Sequence, residues 1–196
     1  MDPNGNIFSG TPDGLAKDIT LLFQNTTLQF EDGRVADQSS GVYNHHTVFI
    51  HSFKRTPQIF SCNGRAAFGG LAIPAPSTPI AASEDVGWIK YTTPDWKFNS
   101  GYIIGKTDTF SAMGEVVNYS DETKKIFVVP EIEYVTGRPE GVLDVSIQLL
   151  GATQCDSNPN MALRPPAGQK VFSFKSKNIS VLQNGYILSR RKYFWL

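Results

Sequence analysis

Short runs of apolar and β-branched residues, broken by Gly, Pro, Asn and Asp, run through the whole chain. Val42–His51 (VYNHHTVFIH) is β-branched and aromatic and predicts the best strand of the first half. Ile19–Gln24 and Thr26–Phe30 predict strands ahead of an Asp32-Gly33 turn, and Gln58–Ser61 a short one. Val86–Thr92, Gly101–Gly105, Thr109–Tyr119 and Val142–Leu149 follow, and Val171–Lys175 and Ile179–Leu188 close the series. In Lys125–Val135 the pattern puts Ile126, Val128, Ile132 and Tyr134 on one face, and Pro130 marks an edge strand or a bulge. No heptad, internal repeat or long helical period is present. About ten to twelve short strands at near-regular spacing predict an all-β antiparallel sandwich. Residues 1–14, rich in Gly, Pro, Asn and Asp, predict a flexible N-terminal arm. That leaves 15–196 as a single sandwich domain.

Composition sharpens this reading. A chain of 196 residues can bury roughly 70% of its unfolded surface, enough for one core. Its 18 basic and 18 acidic side chains cancel, which argues against a nucleic-acid partner, since such binders carry a basic face. No apolar run approaches the ~20 residues of a membrane span. Met1-Asp-Pro-Asn-Gly opens no signal peptide, as expected of a cytosolic protein or of a mature secreted chain. Three sequons make Asn25, Asn118 and Asn178 candidate glycosylation acceptors. Cys62 and Cys155 are two thiols or one disulfide.

The three histidines, His45, His46 and His51, share one predicted strand. Successive strand side chains face opposite ways, so His45 and His46 can share a metal only if a bulge or strand end re-aims one of them. His45 and His51 lie about 20 Å apart at ~3.3 Å per residue. A copper site would then need two imidazoles plus Met, Tyr, carboxylate or water. The plain alternative is one core histidine and one pocket or surface histidine. No nucleophile elbow, P-loop, dinucleotide fingerprint or Cys-x-x-Cys is present. Glu131 and Glu133 share a strand face, which most simply is a solvated one.

The order of Asp32-Gly-Arg-Val-Ala-Asp, Gly41-Val-Tyr-Asn-His-His-Thr-Val-Phe, Gly101-Tyr-Ile-Ile-Gly, Glu115-Val-Val-Asn-Tyr-Ser and Glu133-Tyr-Val-Thr-Gly-Arg-Pro is distinctive. With Thr153-Gln-Cys and Asn184-Gly-Tyr-Ile-Leu, it resembles fungal proteins of the stress up-regulated nodulin family. The Gly-x-x-x-His-His element is similar to the first copper site of peptidylglycine alpha-hydroxylating monooxygenases. The resemblance implies a jelly-roll-like sandwich and a secretory route. Two departures count against monooxygenase activity. The strand comparable to the one bearing a third histidine ends Glu115-Val116-Val117-Asn118, without an imidazole, and the second metal domain has no counterpart.

Two functions follow as expectations. The first is a cofactor-free enzyme of fungal secondary metabolism that binds an apolar small molecule, of the hetero-Diels–Alderase type. His45, His46 and Tyr43 would be its polar anchors, and Trp88, Trp96 and Tyr134 its substrate walls. Proximity and hydrogen bonds to a developing oxyanion would supply the catalysis. The alternative is a copper- or small-molecule-binding sandwich without turnover, with His45 and His46 as metal ligands. The apolar tail Tyr193-Phe-Trp-Leu196 adds the expectation of a docked end or a homodimer.

Overall fold

The computed structural model describes residues 4–56, 76–93, 99–146, 167–169, 171 and 173, and the backbone alone of 60–62, 65–66 and 180–181. Twelve strands occur among these: β1 (Gly5–Gly10), β2 (Ile19–Gln29), β3 (Val42–His51), β4 (Phe60–Cys62), β5 (Arg65–Ala66) and β6 (Ile80–Ala82). β7 (Trp88–Lys90), β8 (Ser100–Ile104), β9 (Phe110–Asn118), β10 (Phe127–Thr136), β11 (Leu143–Asp144) and β12 (Ser180–Val181) complete them. The fold is an all-β sandwich. The chain divides into two compact units. One holds Met1–Arg55 and Pro76–Ile147, the other Thr56–Ala75 and Gln148–Leu196. In the second unit β12, β4 and β5 pair antiparallel.

In the first unit one sheet has the order β1-β9-β3-β6, the other β10-β2-β8-β11, with β7 also paired to β2. Ile19, Leu21, Tyr102 and Ile104 from one sheet meet Phe49, Ile80 and Phe110 from the other in the main core. Leu28, Ala36, Val42 and Val116 form a second cluster. Gln24, fully buried in β2, crosses between the sheets: its Nε2 donates to the Ala81 carbonyl (2.9 Å) and its Oε1 accepts from Thr26 Oγ1 (2.7 Å). A buried amide is tolerated because both its ends are bonded.

Residues 5–10 do not form the expected arm. They pair with β9 from Gly5–Val117 to Gly10–Ala112 as an edge strand. Backbone pairing to a sheet ties down a terminus that composition alone would leave loose. β10 is an edge strand, as its Pro130 requires. Its irregularity lies elsewhere, between Glu133 and Tyr134. That shift turns Tyr134 outward (46% exposed) and ends the face shared by Ile126, Val128 and Ile132.

Candidate metal centre

The site begins with a counting problem in β3. Val42 and Asn44 are buried, and so are Thr47, Phe49 and His51. Even positions face the core before residue 45 and odd ones after it, so one extra residue must be absorbed between. It is His45. Asn44 pairs with Val116 and His46 with Glu115, leaving His45 bulged out of the β3–β9 ladder. The bulge is held from inside by Thr47 Oγ1 donating to Asn44 Oδ1 (3.0 Å). At its edge, Glu84 Oε2 accepts from the Asn44 N–H (3.1 Å) and the Glu84 N–H donates to the Asn44 carbonyl (2.8 Å). Gly114, opposite, is obligatory: a Cβ there would collide with the His46 carbonyl and the Phe8 ring.

The bulge brings the two adjacent histidines together. Their Nδ1 atoms lie 2.9 Å apart and their ring centroids 5.2 Å apart. Glu115, cross-strand from His46, places Oε2 3.6 Å from His45 Nδ1. The three ligand atoms fall within 4.8 Å of one another. Ligands about 2.1 Å from one ion stand roughly 3.0 Å apart at a right angle and roughly 3.4 Å at the tetrahedral angle. The 2.9 Å and 3.6 Å separations are close to these values, and the remaining pair lies within 4.8 Å. His45 is about half exposed, so solvent reaches the cluster, whereas the Glu115 side chain is only 6% exposed. Glu115 Oε1 is buried with no hydrogen-bond partner. Burying a carboxylate without a compensating charge costs several kcal/mol. The arrangement thus calls for a cation beside it.

Tyr43 stands near the pair, its ring 6.1 Å from that of His45 and 6.5 Å from that of Tyr119. The three expected polar anchors are therefore neighbours. The expected walls do not join them: Trp88, 56% exposed, and Tyr134 belong to the opposite sheet, and Trp96 lies outside the described residues. Glu131 and Glu133 are exposed. Asn25 is half-buried in mid-β2. Asn118 is engaged locally, with Nδ2 donating to the Glu122 carbonyl (2.8 Å) and Oδ1 accepting from Ser120 Oγ (2.8 Å). Asn178, Cys155, the side chain of Cys62 and the chain end fall outside the described residues.

His51 is the core histidine. Nδ1 lies 2.9 Å from the Tyr102 hydroxyl and Nε2 3.2 Å from Asp108 Oδ2. Burial holds its pKa below the usual 6.5, against the opposing pull of the Asp108 carboxylate, and burial pushes the Tyr102 hydroxyl up. Lys54 lies over the Tyr102 ring, 3.8 Å from its centroid, and pairs with Asp144 (2.6 Å).

The sequence reading assigns Glu115 no ligand role. Its one signal is a carboxylate between Gly114 and Val116-Val117, in a segment otherwise fit for burial on both faces. No helix among the described residues is long and apolar enough to cross a membrane. No family model, curated protein or solved structure matches the chain.

Proposed function

We propose that this protein is a metal-binding β-sandwich in which His45, His46 and Glu115 hold one divalent first-row ion. The observation that carries this reading is the buried Glu115 carboxylate, one oxygen unpartnered, beside two imidazole nitrogens that face each other. Two imidazoles and a carboxylate suit Zn(II), Fe(II) or Cu(II); the hard oxygen donor makes a poor site for Cu(I). Three protein ligands leave positions open, the pattern of reactive rather than structural sites. Such an ion, when bound, supplies Lewis acidity to whatever enters those positions. Glu115 neutralises charge and fixes the ion against β9, His46 holds it from β3, and half-exposed His45 borders the solvent approach.

The cofactor-free cyclase reading uses the same histidines as hydrogen-bond donors. It is less well supported, because the aromatic walls it needs are not gathered beside them among the described residues. The deciding experiment loads the full chain separately with Zn(II), Cu(II) and Fe(II), desalts it and measures metal by mass spectrometry. About one ion per chain in the wild type, lost in both His45→Ala/His46→Ala and Glu115→Gln, is the expected result. Failure of the wild type to retain any of the three, or full retention by Glu115→Gln, overturns the proposal.

A further inference from the structure

A second feature lies away from the histidines. The edge strands β1 and β10, one from each sheet, both contribute to the lining of two cavities. The larger, about 540 Å³, is walled by Phe8, Val42, Val116, Ile126 and Val128. The smaller, about 250 Å³, shares Phe8 and Val128 and continues past Ala112 and Pro130. The larger alone falls within the ~300–1,000 Å³ typical of small-molecule sites. The two cavities are neighbours with Phe8 and Val128 in both linings, and together they form a largely apolar slot with polar residues such as Asn118 and Thr11 at its margins.

The slot has electrical polarity. Lys124 is the charged residue lining the larger cavity, and Asp13 the one lining the smaller. Lys124 is held in place: its Nζ donates to the Ser40 carbonyl. A side chain at Gly41, which has φ +78°, would crowd it. The Asp37 capping box fixes that turn, with Asp37 Oδ1 accepting from the Ser39 and Ser40 N–H groups. Among the described residues no carboxylate pairs with Lys124, whereas the adjacent Lys125 pairs with Glu31 (2.9 Å).

We propose that this slot binds a linear amphipathic monocarboxylate, its head on Lys124 and its chain running past Val116 and Val128 toward Phe8. The apolar walls accept an alkyl chain, the ammonium selects an anion, and Asp13 in the neighbouring cavity disfavours the carboxylate there, which sets the direction. The site is independent of the metal centre, so its test is run with a chelator present.

Calorimetry on the full chain would compare octanoate, decanoate and dodecanoate with the neutral control dodecanol. Affinity should rise about fourfold per added methylene while the slot fills. Dodecanoate should bind one per chain and about tenfold more tightly than dodecanol. Lys124→Met should erase that preference and leave dodecanol binding unchanged. Ile126→Trp should block both ligands, and Val128→Phe gives the same readout if that variant does not fold. No binding of dodecanoate, equal affinity for acid and alcohol, or wild-type affinity in a folded filled variant would each overturn the proposal.

Discussion

Strand β3 carries two histidine clusters that began with similar parts and ended differently. At its end, His51 meets a carboxylate and a phenol, and both ring nitrogens find partners. Near its start, His45 and His46 also meet a carboxylate, but one oxygen of Glu115 is buried without a partner. The first cluster is enclosed in the core, with both His51 nitrogens engaged, although the neighbouring Ser77 hydroxyl is also buried without a partner. The second keeps unused ligand capacity behind a solvent-exposed imidazole. What separates them is solvent access and the pairing of imidazoles: His51 is a single buried ring, whereas His45 is about half exposed and faces a second histidine.

The sharpest way to break this contrast is to exchange carboxylates for amides in parallel. Glu115→Gln should weaken Zn(II) binding by more than the roughly 100-fold expected for an outer-sphere change. Asp108→Asn should leave it unaltered; titration calorimetry reads both, and equal losses would erase the distinction. Next is stability. His51→Ala takes one partner from Tyr102 and one from Asp108, which keeps the Gly105 N–H, and opens space in the core, costing about 3 kcal/mol in urea unfolding. His46→Ala, on the metal-free protein, should stay within about 1 kcal/mol of wild type.

Glu115→Leu should raise the stability of the metal-free protein by about 1–2 kcal/mol, because an apolar side chain replaces a buried carboxyl group with one oxygen unpartnered. A loss of stability there would mean that the carboxylate already has its full complement of partners. The smallest effect concerns pH. His51 has a lowered pKa in the folded state, so the unfolded chain binds the extra proton first. His51's contribution is therefore full above pH 6.5 and is lost as the pH falls through 6.5 toward the folded value. Unfolding midpoints measured from pH 8 to 5 should show this slope in the wild type and a shallower one in His51→Ala.

Much of the fold could be read from local pattern. β3 lies where its β-branched and aromatic run predicts, and Pro130 marks an edge strand. Ile19–Gln24 and Thr26–Phe30 are one continuous strand through Gln29, because Asn25 continues the ladder with Glu131. β1 escaped because Gly and Asn composition outweighed a pairing made with residues about a hundred positions away. The candidate site was half legible. A shared site for His45 and His46 needed a bulge, which the sequence does not reveal because Val42, Val48 and Ile50 keep even parity throughout; the change of parity appears only in the burial pattern. Glu115 could not be found that way, because its place beside His46 depends on the β3–β9 register, a long-range property. The apolar slot was equally hidden, since it lies between two sheet edges joined only through the rest of the fold.

The bulge has a consequence for how such a site arises and disappears. One codon separates a strand with His45 from one without it, and the ladder on either side already pairs around that residue. Removing it would restore regular alternation across the gap, with Asn44–Val116 and His46–Glu115 still in register. A ligand set can thus be gained or lost by a single in-frame insertion or deletion, without altering any residue that fills the core. In this sandwich a length change, usually the most disruptive kind of mutation in a strand, becomes an evolutionary switch for chemistry.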